Sequence, residues 1–567
     1  GDGAVLVLED VGGERLKTLL AAGRHDLGTT LRLGVQLADA VAALHRRDII
    51  HKDINPNNIL VDRAVGRATL IDFSIASRLP FEHRPPSHPN VLQGTLAYMS
   101  PEQTGRMNRD VDYRTDFYSL GVTLYEMLTG RLPFESLDPL EVVHCHIARA
   151  AVAPSALDST IPGPLSDVVM KLLAKAAEDR YQSGFGLRED LARCLEEWQA
   201  TGRIAHVVAG MTDLADRFVI PQRLYGRDAE VATLREAFES ASSGAAELLL
   251  VSGYSGIGKT SLIHELHKSL THRRGHFIAG KFDQLARNTP YSGVAQAFQE
   301  LMRQLLTESE EAVRGWKDAL LGALGVNAQV IIDIIPAVEH IIGKQPPVPV
   351  LGTTESQNRF NLLFHKFLAV FATPAHPLAI FLDDLQWADA ATLALLRTLL
   401  ANSDLSGLLV IGAYRDNEIS DRHPLMLALG DIRAAGTPLR EITLGPLPLL
   451  HLTQFIADAL HSDADRATPL ADLVLAKTAG NPFFVTQFLK TLHQEGLVVF
   501  DYVTGRWQFD LARIRGMDIT DNVVDLMAAK IRKLAATTQE ALKLAACIGN
   551  RFALPVLSTV SAKALEA

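Results

Sequence analysis

The sequence predicts a multidomain protein, in which a mainly helical region is followed by an α/β region with a parallel sheet and then by a second helical region. Three observations support this. The 567 residues exceed the usual size of one domain and suggest roughly three to four folding units. Apolar residues recur at helical spacing towards both ends of the chain. In the middle, short apolar runs alternate with helical stretches, which is typical of a parallel sheet covered on both faces.

Changes in composition divide the chain into four expected segments: residues 1–200, mainly helical; 201–224, a linker without a clear period; 225–446, the α/β unit; and 447–567, helical. Within the last segment, Leu497–Phe500 and Trp507–Phe509 flank a turn. This pattern suggests a β-hairpin of the winged-helix type.

The composition excludes several classes of protein. The apolar fraction of 47% and the charged fraction of 21% argue against a disordered chain, a collagen-like repeat and a coiled-coil rod. A net charge of −10 gives no support for general binding to nucleic acid or anionic membranes. No apolar run is long enough for a membrane span. Because Cys145, Cys194 and Cys547 are scattered, we expect buried structural thiols in a reducing, cytoplasmic compartment.

The first set of candidate catalytic residues lies near His51. Asp53 and Asn58 stand in a loop between apolar segments, and Asp72 follows another apolar segment. Transfer of a γ-phosphoryl group requires a carboxylate that orients the acceptor hydroxyl and oxygen ligands for Mg²⁺. We therefore expect Asp53 to be the catalytic carboxylate, and Asn58 and Asp72 to hold the metal.

This region resembles the protein kinases of the eukaryotic type over residues 1–200. His51–Asn58 is similar to their H-R-D-x-x-x-x-N catalytic loop, and Asp72-Phe73-Ser74 is similar to D-F-G. Ser100-Pro101-Glu102 resembles A-P-E, and Arg180 stands where the family has an arginine that pairs with that glutamate. Asp116 belongs to a stretch that resembles the buried central helix of the family. The resemblance implies phosphorylation of Ser or Thr in a protein substrate, with ATP and Mg²⁺.

The same resemblance implies roles for further residues. Leu6–Glu9 resembles the strand and hinge that receive adenine, and Thr95 resembles the threonine near the acceptor. We expect His51 to pack beside Phe73 rather than to act as a base, and Asp116 to bond the backbone of the catalytic loop.

The sequence also departs from the kinase pattern. Asn55 stands in the position of the lysine of Ser/Thr-specific members, and Ser74 replaces the glycine of D-F-G. The Gly-rich loop, the strand lysine and its partner glutamate would lie before Gly1. We therefore expect a fragment that begins with the C-terminal lobe, has no kinase activity by itself, and ends at a second cut at Ala567. The parent protein is expected to be an active kinase or a scaffold that binds nucleotide.

The second set of candidate residues forms a phosphate-binding loop, residues 253–260, called here the phosphate loop. It fits G-x-x-x-x-G-K-[ST] at every fixed position and lies between an apolar strand and the helical stretch Ser261–Leu270. Glycines allow backbone N–H groups to surround phosphates, and a helix N-terminus adds positive potential. We expect Lys259 to reach the β- and γ-phosphates and Thr260 to hold Mg²⁺. The expected nucleotide-binding residues of this segment are Gly253, Gly256, Gly258, Lys259, Thr260 and Ser261.

Two acids, Asp383 and Asp384, follow a short apolar strand and are called here the acid pair. We expect Asp383 to coordinate Mg²⁺ and Asp384 to orient the attacking water. The alternative is a solvated strand end. Arg415 follows a further apolar strand, where it is expected either to sense the γ-phosphate or to form a salt bridge with Asp416.

Residues 225–490 resemble the STAND class of signal-transducing ATPases, which are AAA-like P-loop NTPases. The phosphate loop, the acid pair and Arg415 carry part of this resemblance. Tyr225-Gly226-Arg227-Asp228 is similar to the motif that this class places beside adenine, and Gly480–Phe484 is similar to its Gly-x-Pro element. The resemblance implies that Pro482 contacts the base and that bound ATP controls a switch.

A kinase-like unit followed by a STAND-like ATPase is similar to the front of large bacterial signalling proteins, which continue into sensor and histidine-kinase modules. Three functions stay open: a signalling Ser/Thr kinase fused to a regulatory NTPase, an NTPase-driven scaffold with an inactive kinase portion, and a STAND-type transcription regulator. Lys530, Arg532 and Lys533 are too sparse for a basic recognition helix. Nucleic acid is therefore not an expected partner.

Overall fold

The computed structural model describes residues 12–78, 94–107, 109–136, 138–244, 246–266, 270, 275–284, 289–306, 308, 310–401, 405–501, 503–516, 528, 531–532, 534–548 and 554–561. Two compact units divide the chain. Unit 1 consists of residues 1–223 and 500–507, and unit 2 consists of residues 224–499 and 508–567. The expected hinge strand Leu6–Glu9 lies outside the described residues, as do Lys530 and Lys533.

Unit 1 is mainly helical and contains a small antiparallel sheet. Strands β1 to β3 pair in chain order and are Glu14–Arg15, Ile59–Asp62 and Arg67–Leu70. Helices α1 to α7 are Leu16–Ala22, Leu27–His45, Arg114–Thr129, Pro139–Ala148, Pro154–Leu157, Gly163–Leu172 and Gly184–Thr201. The helix expected from the apolar stretch Phe117–Leu128 is α3.

Local sequence explains where the central helices of unit 1 begin and end. The Asp26 carboxylate caps α2 by accepting a hydrogen bond from Thr29 N at 2.9 Å. Helix α3 is buried along nearly its whole length and ends at Gly130, whose φ of 74° favours glycine. Gly121 allows α3 to approach α6, because a Cβ there would lie 2.6 Å from Leu172 Cβ.

Unit 1 also includes the short segment 500–507. Trp507 Nε1 donates to Ala215 O at 2.8 Å, and the Trp507 ring lies 5.4 Å from the Phe218 ring. This segment belongs to a two-stranded sheet of β9 (Val498–Asp501) and β10 (Arg506–Phe509). The two strands expected around residues 497–509 are therefore present, whereas their winged-helix type stays a prediction.

Unit 2 contains a five-stranded sheet with the order β5-β6-β7-β4-β8, in which every neighbouring pair is parallel. Strands β4 to β8 are Glu247–Ser252, His276–Lys281, Leu378–Asp383, Leu408–Tyr414 and Leu439–Thr443. Helices α8 to α15 are Asp228–Ser243, Lys259–His264, Ser292–Leu305, Glu310–Leu324, Gln329–Ile332, Glu339–Ile342, Thr353–Phe371 and Ala390–Leu400. Helices α16 to α22 are Pro424–Ala434, Leu449–Ala459, Ala464–Thr478, Pro482–Gln494, Leu511–Arg515, Ala536–Ile548 and Leu554–Ser561.

The parallel strand order places the candidate site residues of unit 2 at one end of its strands. The carboxyl ends of parallel strands lie side by side, and such folds bind ligands there. The phosphate loop follows β4, and the acid pair lies at the end of β6. In the register of the sheet, Lys281 at the end of β5 stands opposite Asp383, and Ser252 at the end of β4 stands opposite Tyr414.

The expectation of buried thiols holds for two of the three cysteines. Cys145 and Cys194 are buried as expected, whereas Cys547 is exposed. The expectation was wrong for Cys547 because its helix, α21, buries little of its surface, with Ala545 as its buried residue. In the part of the chain that the structure describes, no helix has both the length and the apolar character required to cross a membrane.

Candidate nucleotide site and catalytic loop

The loop between β4 and α9 has a backbone that requires glycine. Gly253, Gly256 and Gly258 have φ values of 145°, 75° and 102°, which L side chains rarely adopt. A Cβ on Gly253 would also lie 2.7 Å from Leu444 O, and one on Gly256 would lie 2.8 Å from Phe483 Cβ. These glycines permit both the turn of the phosphate loop and its close contact with neighbouring segments.

Lys259 is buried where α9 begins. Its Nζ donates to Gly253 O at 2.7 Å and to Tyr254 O at 3.0 Å. Burial lowers the pKa of Lys259, and the negative charge of Asp383 opposes that shift. A buried ammonium whose hydrogen bonds go to neutral carbonyls is stabilised when an anion approaches it.

The acid pair at the end of β6 lies among cationic side chains. Lys281 Nζ lies 3.5 Å from Asp383 Oδ2 and 3.0 Å from Asp384 Oδ2. Arg415 Nε lies 3.1 Å from Asp384 Oδ1. Burial raises the pKa of Asp383, although Lys281 opposes this shift. Asp384 has a left-handed backbone with φ 53°, which turns the chain immediately after the strand.

Arg415 is fixed by further contacts. Its Nη1 lies 2.7 Å from Glu418 Oε1, and its guanidinium carbon lies 4.9 Å from the centre of the Trp387 ring. Among the described residues, its ion pairs are thus with Asp384 and Glu418. The salt bridge with Asp416, which the sequence left open, is not among them. The guanidinium points back to the acid at the end of the neighbouring strand.

These groups surround a cavity of about 400 Å³. Most residues expected from the sequence to form the nucleotide site line it: Gly256, Gly258, Lys259, Thr260, Ser261, Asp383, Asp384, Arg415 and Pro482. Gly253 stands at the start of the turn, outside this lining. Sequence reasoning missed Ser255, Lys281, Phe483 and Thr486. Lys281 ends β5 as Asp383 ends β6, but its place beside the acid pair depends on the pairing of these two strands.

Helix α19, called here the lid helix, begins in direct contact with the phosphate loop. Asn481 Nδ2 donates to Ser255 O at 2.9 Å, and Phe483 N donates to Gly256 O at 3.2 Å. Asn481 also caps the lid helix, since its Oδ1 accepts a hydrogen bond from Phe483 N at 3.1 Å. The Gly-x-Pro segment therefore joins the loop to the helix.

The segment 225–228 packs on α17. Tyr225 Oη donates to Asp458 Oδ2 at 2.7 Å, and Arg227 donates to the carbonyl of Gly445. Gly226 has φ 61°, and a Cβ there would lie 2.3 Å from His451 Cδ2. Glycine is needed at this position because neither the backbone angle nor the space admits a side chain.

In unit 1, Asp53 is held on both carboxylate oxygens. Oδ1 accepts from Thr95 N at 2.9 Å, and Oδ2 accepts from Asn58 Nδ2 at 2.9 Å. Asn55 Nδ2 donates to Thr95 Oγ1 at 3.1 Å and to Asp53 O at 3.1 Å. The structure thus brings Asp53, Asn58 and Thr95 together, and Asn55 occupies the space beside them with a neutral amide.

The Asp116 carboxylate accepts hydrogen bonds from the backbone of this loop. Its Oδ2 accepts from His51 N at 2.9 Å and contacts His45 Nε2 at 2.9 Å, and its Oδ1 accepts from Lys52 N at 2.8 Å. The expected bonding of Asp116 to the loop backbone is therefore confirmed. The expected packing of His51 is confirmed too, because its ring lies 4.8 Å from that of Phe73.

Two further kinase-like features have clear geometry. Arg180 and Glu102 form a buried two-point ion pair with N–O distances of 2.6 Å and 2.8 Å, as expected. Asp72 is exposed, and its Oδ1 accepts from Ser74 N at 3.2 Å. The hydrogen bonds from Ser74 lower the pKa of Asp72. A backbone bond from Ile71 N to Asn58 O, 3.0 Å long, joins this segment to the catalytic loop.

Family models match both units. Residues 1–189 match the protein kinase domain, and residues 223–411 match the AAA ATPase domain. The chain combines a protein kinase domain with an AAA ATPase domain. The kinase-like loop and the cavity of unit 2 therefore lie in two different kinds of domain.

The relatives of the chain include signalling kinases. It is 34% identical over 550 residues to hybrid signal transduction histidine kinase G of Dictyostelium discoideum, in a match that covers 82% of this chain and 16% of that protein. It is 24% identical over 480 residues to histidine protein kinase 1 of Candida albicans, in a match that covers 75% of this chain and 19% of that protein. Serine/threonine-protein kinase pkn2 of Myxococcus xanthus is 40% identical to the chain over 201 residues, in a match that covers 34% of this chain and 24% of that protein. The chain thus spans less than a quarter of these relatives.

Proposed function

We propose that unit 2 binds a nucleoside triphosphate with Mg²⁺ and acts as a STAND-type switch in signal transduction. One observation carries this proposal. The phosphate loop, the acid pair, Arg415 and Pro482 of the lid helix line the same cavity. A site of this composition suits a polyphosphate, because glycine-rich backbone and buried cations stabilise phosphate oxygens.

In this proposal the residues have separate tasks. Lys259 exchanges its carbonyl partners for phosphate oxygens. The Thr260 hydroxyl and the Asp383 carboxylate hold Mg²⁺, and such hard oxygen donors fit this ion. When bound, Mg²⁺ neutralises charge on the phosphates. Asp384 orients water once its ion pairs with Lys281 and Arg415 loosen, since both pairs now restrain its carboxylate.

The switch follows from the contacts of the lid helix. Asn481 and Phe483 bond the phosphate loop directly, so a nucleotide between the loop and Pro482 changes the contacts that hold the helix there. A nucleotide shifts this equilibrium only by its differential affinity for the two arrangements. Exchange or hydrolysis of the nucleotide would thereby change the position of α19.

Lys259→Ala tests the nucleotide site. We expect the affinity for Mg·ATP to fall about tenfold or more, because a buried charge-assisted hydrogen bond to phosphate is lost. Isothermal titration calorimetry on the whole chain measures this, and Lys366→Ala, an exposed lysine of α14, is the matched control. Equal affinity in Lys259→Ala and the unaltered chain would contradict the proposal.

For unit 1 we propose a role in Ser/Thr protein phosphorylation. Asp53 would orient the acceptor hydroxyl of a protein substrate, and Asn58 and Asp72 would hold Mg²⁺ with ATP. The two hydrogen bonds that fix the Asp53 carboxylate support this assignment. The histidine kinases among the relatives of the chain support a place in larger signalling proteins with sensor modules.

One observation favours a second candidate, an NTPase-driven scaffold whose kinase portion is inactive. Asn55 bonds Thr95 Oγ1 and the Asp53 backbone where Ser/Thr-specific kinases have a lysine. A neutral amide stabilises the charge of a transferred phosphoryl group less than an ammonium does. The incorporation of labelled phosphate into a Ser/Thr substrate by the full-length protein, compared with its Asp53→Asn variant, distinguishes the two functions.

A further inference from the structure

Lys281 lies in the cavity of unit 2 although it belongs to none of the motifs in the sequence. It is the last residue of β5 and stands opposite Asp383 in the register of the sheet. Its Nζ contacts both carboxylates of the acid pair, at 3.5 Å from Asp383 and 3.0 Å from Asp384. The side chain is 43% exposed and lines the cavity.

The other cations of the cavity are engaged differently. Lys259 donates to two carbonyls of the phosphate loop. Arg415 divides its guanidinium between Asp384 and Glu418. Among the described residues, Lys281 is therefore the cation that forms ion pairs with both members of the acid pair.

A divalent cation on Asp383 weakens this contact. Two positive ions on one carboxylate repel each other, and a doubly charged ion with oxygen donors outcompetes an ammonium at that oxygen. The lysine side chain has a flexible four-carbon stem and a compact charge, so it turns to a new partner with little strain. Since the phosphate loop lines the same cavity, that partner is a phosphate oxygen.

We propose that Lys281 exchanges partners when the site fills: it leaves the acid pair as the cation binds Asp383 and takes the terminal phosphate of a nucleoside triphosphate. The residue thereby distinguishes triphosphate from diphosphate, because a diphosphate lacks the γ-phosphate oxygens that Lys281 would contact. This inference rests on the proposed function of unit 2. The alternative is a structural ion pair that holds β5 and β6 together without sensing the nucleotide.

Calorimetric titration of the whole chain with Mg·ATP and Mg·ADP tests the exchange. We expect Lys281→Met to weaken the binding of Mg·ATP about tenfold and that of Mg·ADP by less than about threefold. Only the triphosphate loses a charge-assisted contact. Lys281→Arg restores most of the preference for ATP. Lys366→Met, which removes an exposed lysine of α14, leaves both affinities unchanged. If the affinities for both nucleotides fall equally, or if neither falls, the exchange is overturned.

A second measurement does not use nucleotide. Binding of Mn²⁺ alone, followed by electron paramagnetic resonance, is expected to tighten about tenfold in Lys281→Met, because the ion no longer displaces an ammonium from Asp383. Unchanged or weaker Mn²⁺ binding overturns the exchange. Lys281→Gln, which keeps a polar side chain without charge, serves in both assays if the Met variant unfolds.

Lys259→Ala separates the two proposals. If Lys259→Ala loses both nucleotides while Lys281→Met weakens the binding of both nucleotides equally, or of neither, the nucleotide site stands and only the exchange fails. If Lys259→Ala binds both nucleotides as the unaltered chain does, the proposed function itself fails.

Discussion

Lys175 carries its ammonium into the interior of unit 1. Its Nζ lies 4.5 Å from the centre of the Phe134 ring and donates to Cys145 O at 3.0 Å. Burial, and after it the charge of Arg180, lowers the pKa of Lys175 to about 7. An ammonium in such a place is less favourable than in water, so the folded state prefers the neutral amine over a wide pH range.

The sign of the pH dependence follows from this shift. An unfolded lysine has a pKa of about 10.4, so the unfolded state binds more protons between about pH 7 and about pH 10. The free energy of unfolding of unit 1 is therefore expected to rise with pH in this window. Lys175→Met should remove up to about 5 kcal/mol of that rise, measured by chemical denaturation at both ends of the window. An unchanged rise in Lys175→Met, with Lys366→Met as control, would contradict the assignment.

Single residues of the nucleotide site differed in how far the sequence could predict them. Lys259 and Asp383 lie in local patterns of strand, loop and helix, so spacing alone indicates them. Lys281 depends on the pairing of β5 with β6, which joins distant parts of the chain. The partners of Arg415 depend on side-chain direction at a strand end, and therefore Glu418 rather than the adjacent Asp416 takes the ion pair.

At the level of elements, the buried strands were predictable and the edge strands were not. Strands β4, β6 and β7 lie inside the sheet and are continuous apolar runs, because both of their faces are covered. Strands β5 and β8 lie at the edges. In β8 the polar residues Arg440 and Glu441 interrupt the apolar pattern, and in β5 the apolar run is limited to residues 277–280.

The junction of the lid helix with the phosphate loop depends on Asn481. Asn481→Ala removes both its bond to Ser255 O and the cap of the helix. A lost cap costs about 1 kcal/mol, and the bond to the loop is lost in addition. We therefore expect a fluorescent ATP analogue to dissociate about fivefold faster or more, measured by stopped-flow displacement on the whole chain.

Asn481→Ser is the matched control for this junction. A serine hydroxyl still caps the helix but is too short to reach Ser255 O. If the bond to the loop matters, the serine variant releases nucleotide faster than the unaltered chain and more slowly than the alanine variant. Identical release from all three proteins would show that the lid helix does not retain the nucleotide.

At the level of the whole molecule, each unit has a hydrophobic core of its own. The core of unit 1 includes Leu37, Phe117 and Leu191. Unit 2 has cores on both faces of its sheet, with Leu250 on one side and Leu249 on the other. Because these cores share no residues, we expect thermal unfolding in separate steps rather than in one cooperative transition.

Mg·ATP should act on one of these steps. A ligand that binds only the folded state at about one hundred times its Kd stabilises that state by about 2.7 kcal/mol. Differential scanning calorimetry should therefore show a higher midpoint for one transition, assigned to unit 2, and the shift should vanish in Lys259→Ala. Asp53→Asn is the control in unit 1, and it should retain the shift. If the shift instead persists in Lys259→Ala and vanishes in Asp53→Asn, the nucleotide binds through the catalytic loop, and the phosphate loop is not the site that ATP stabilises.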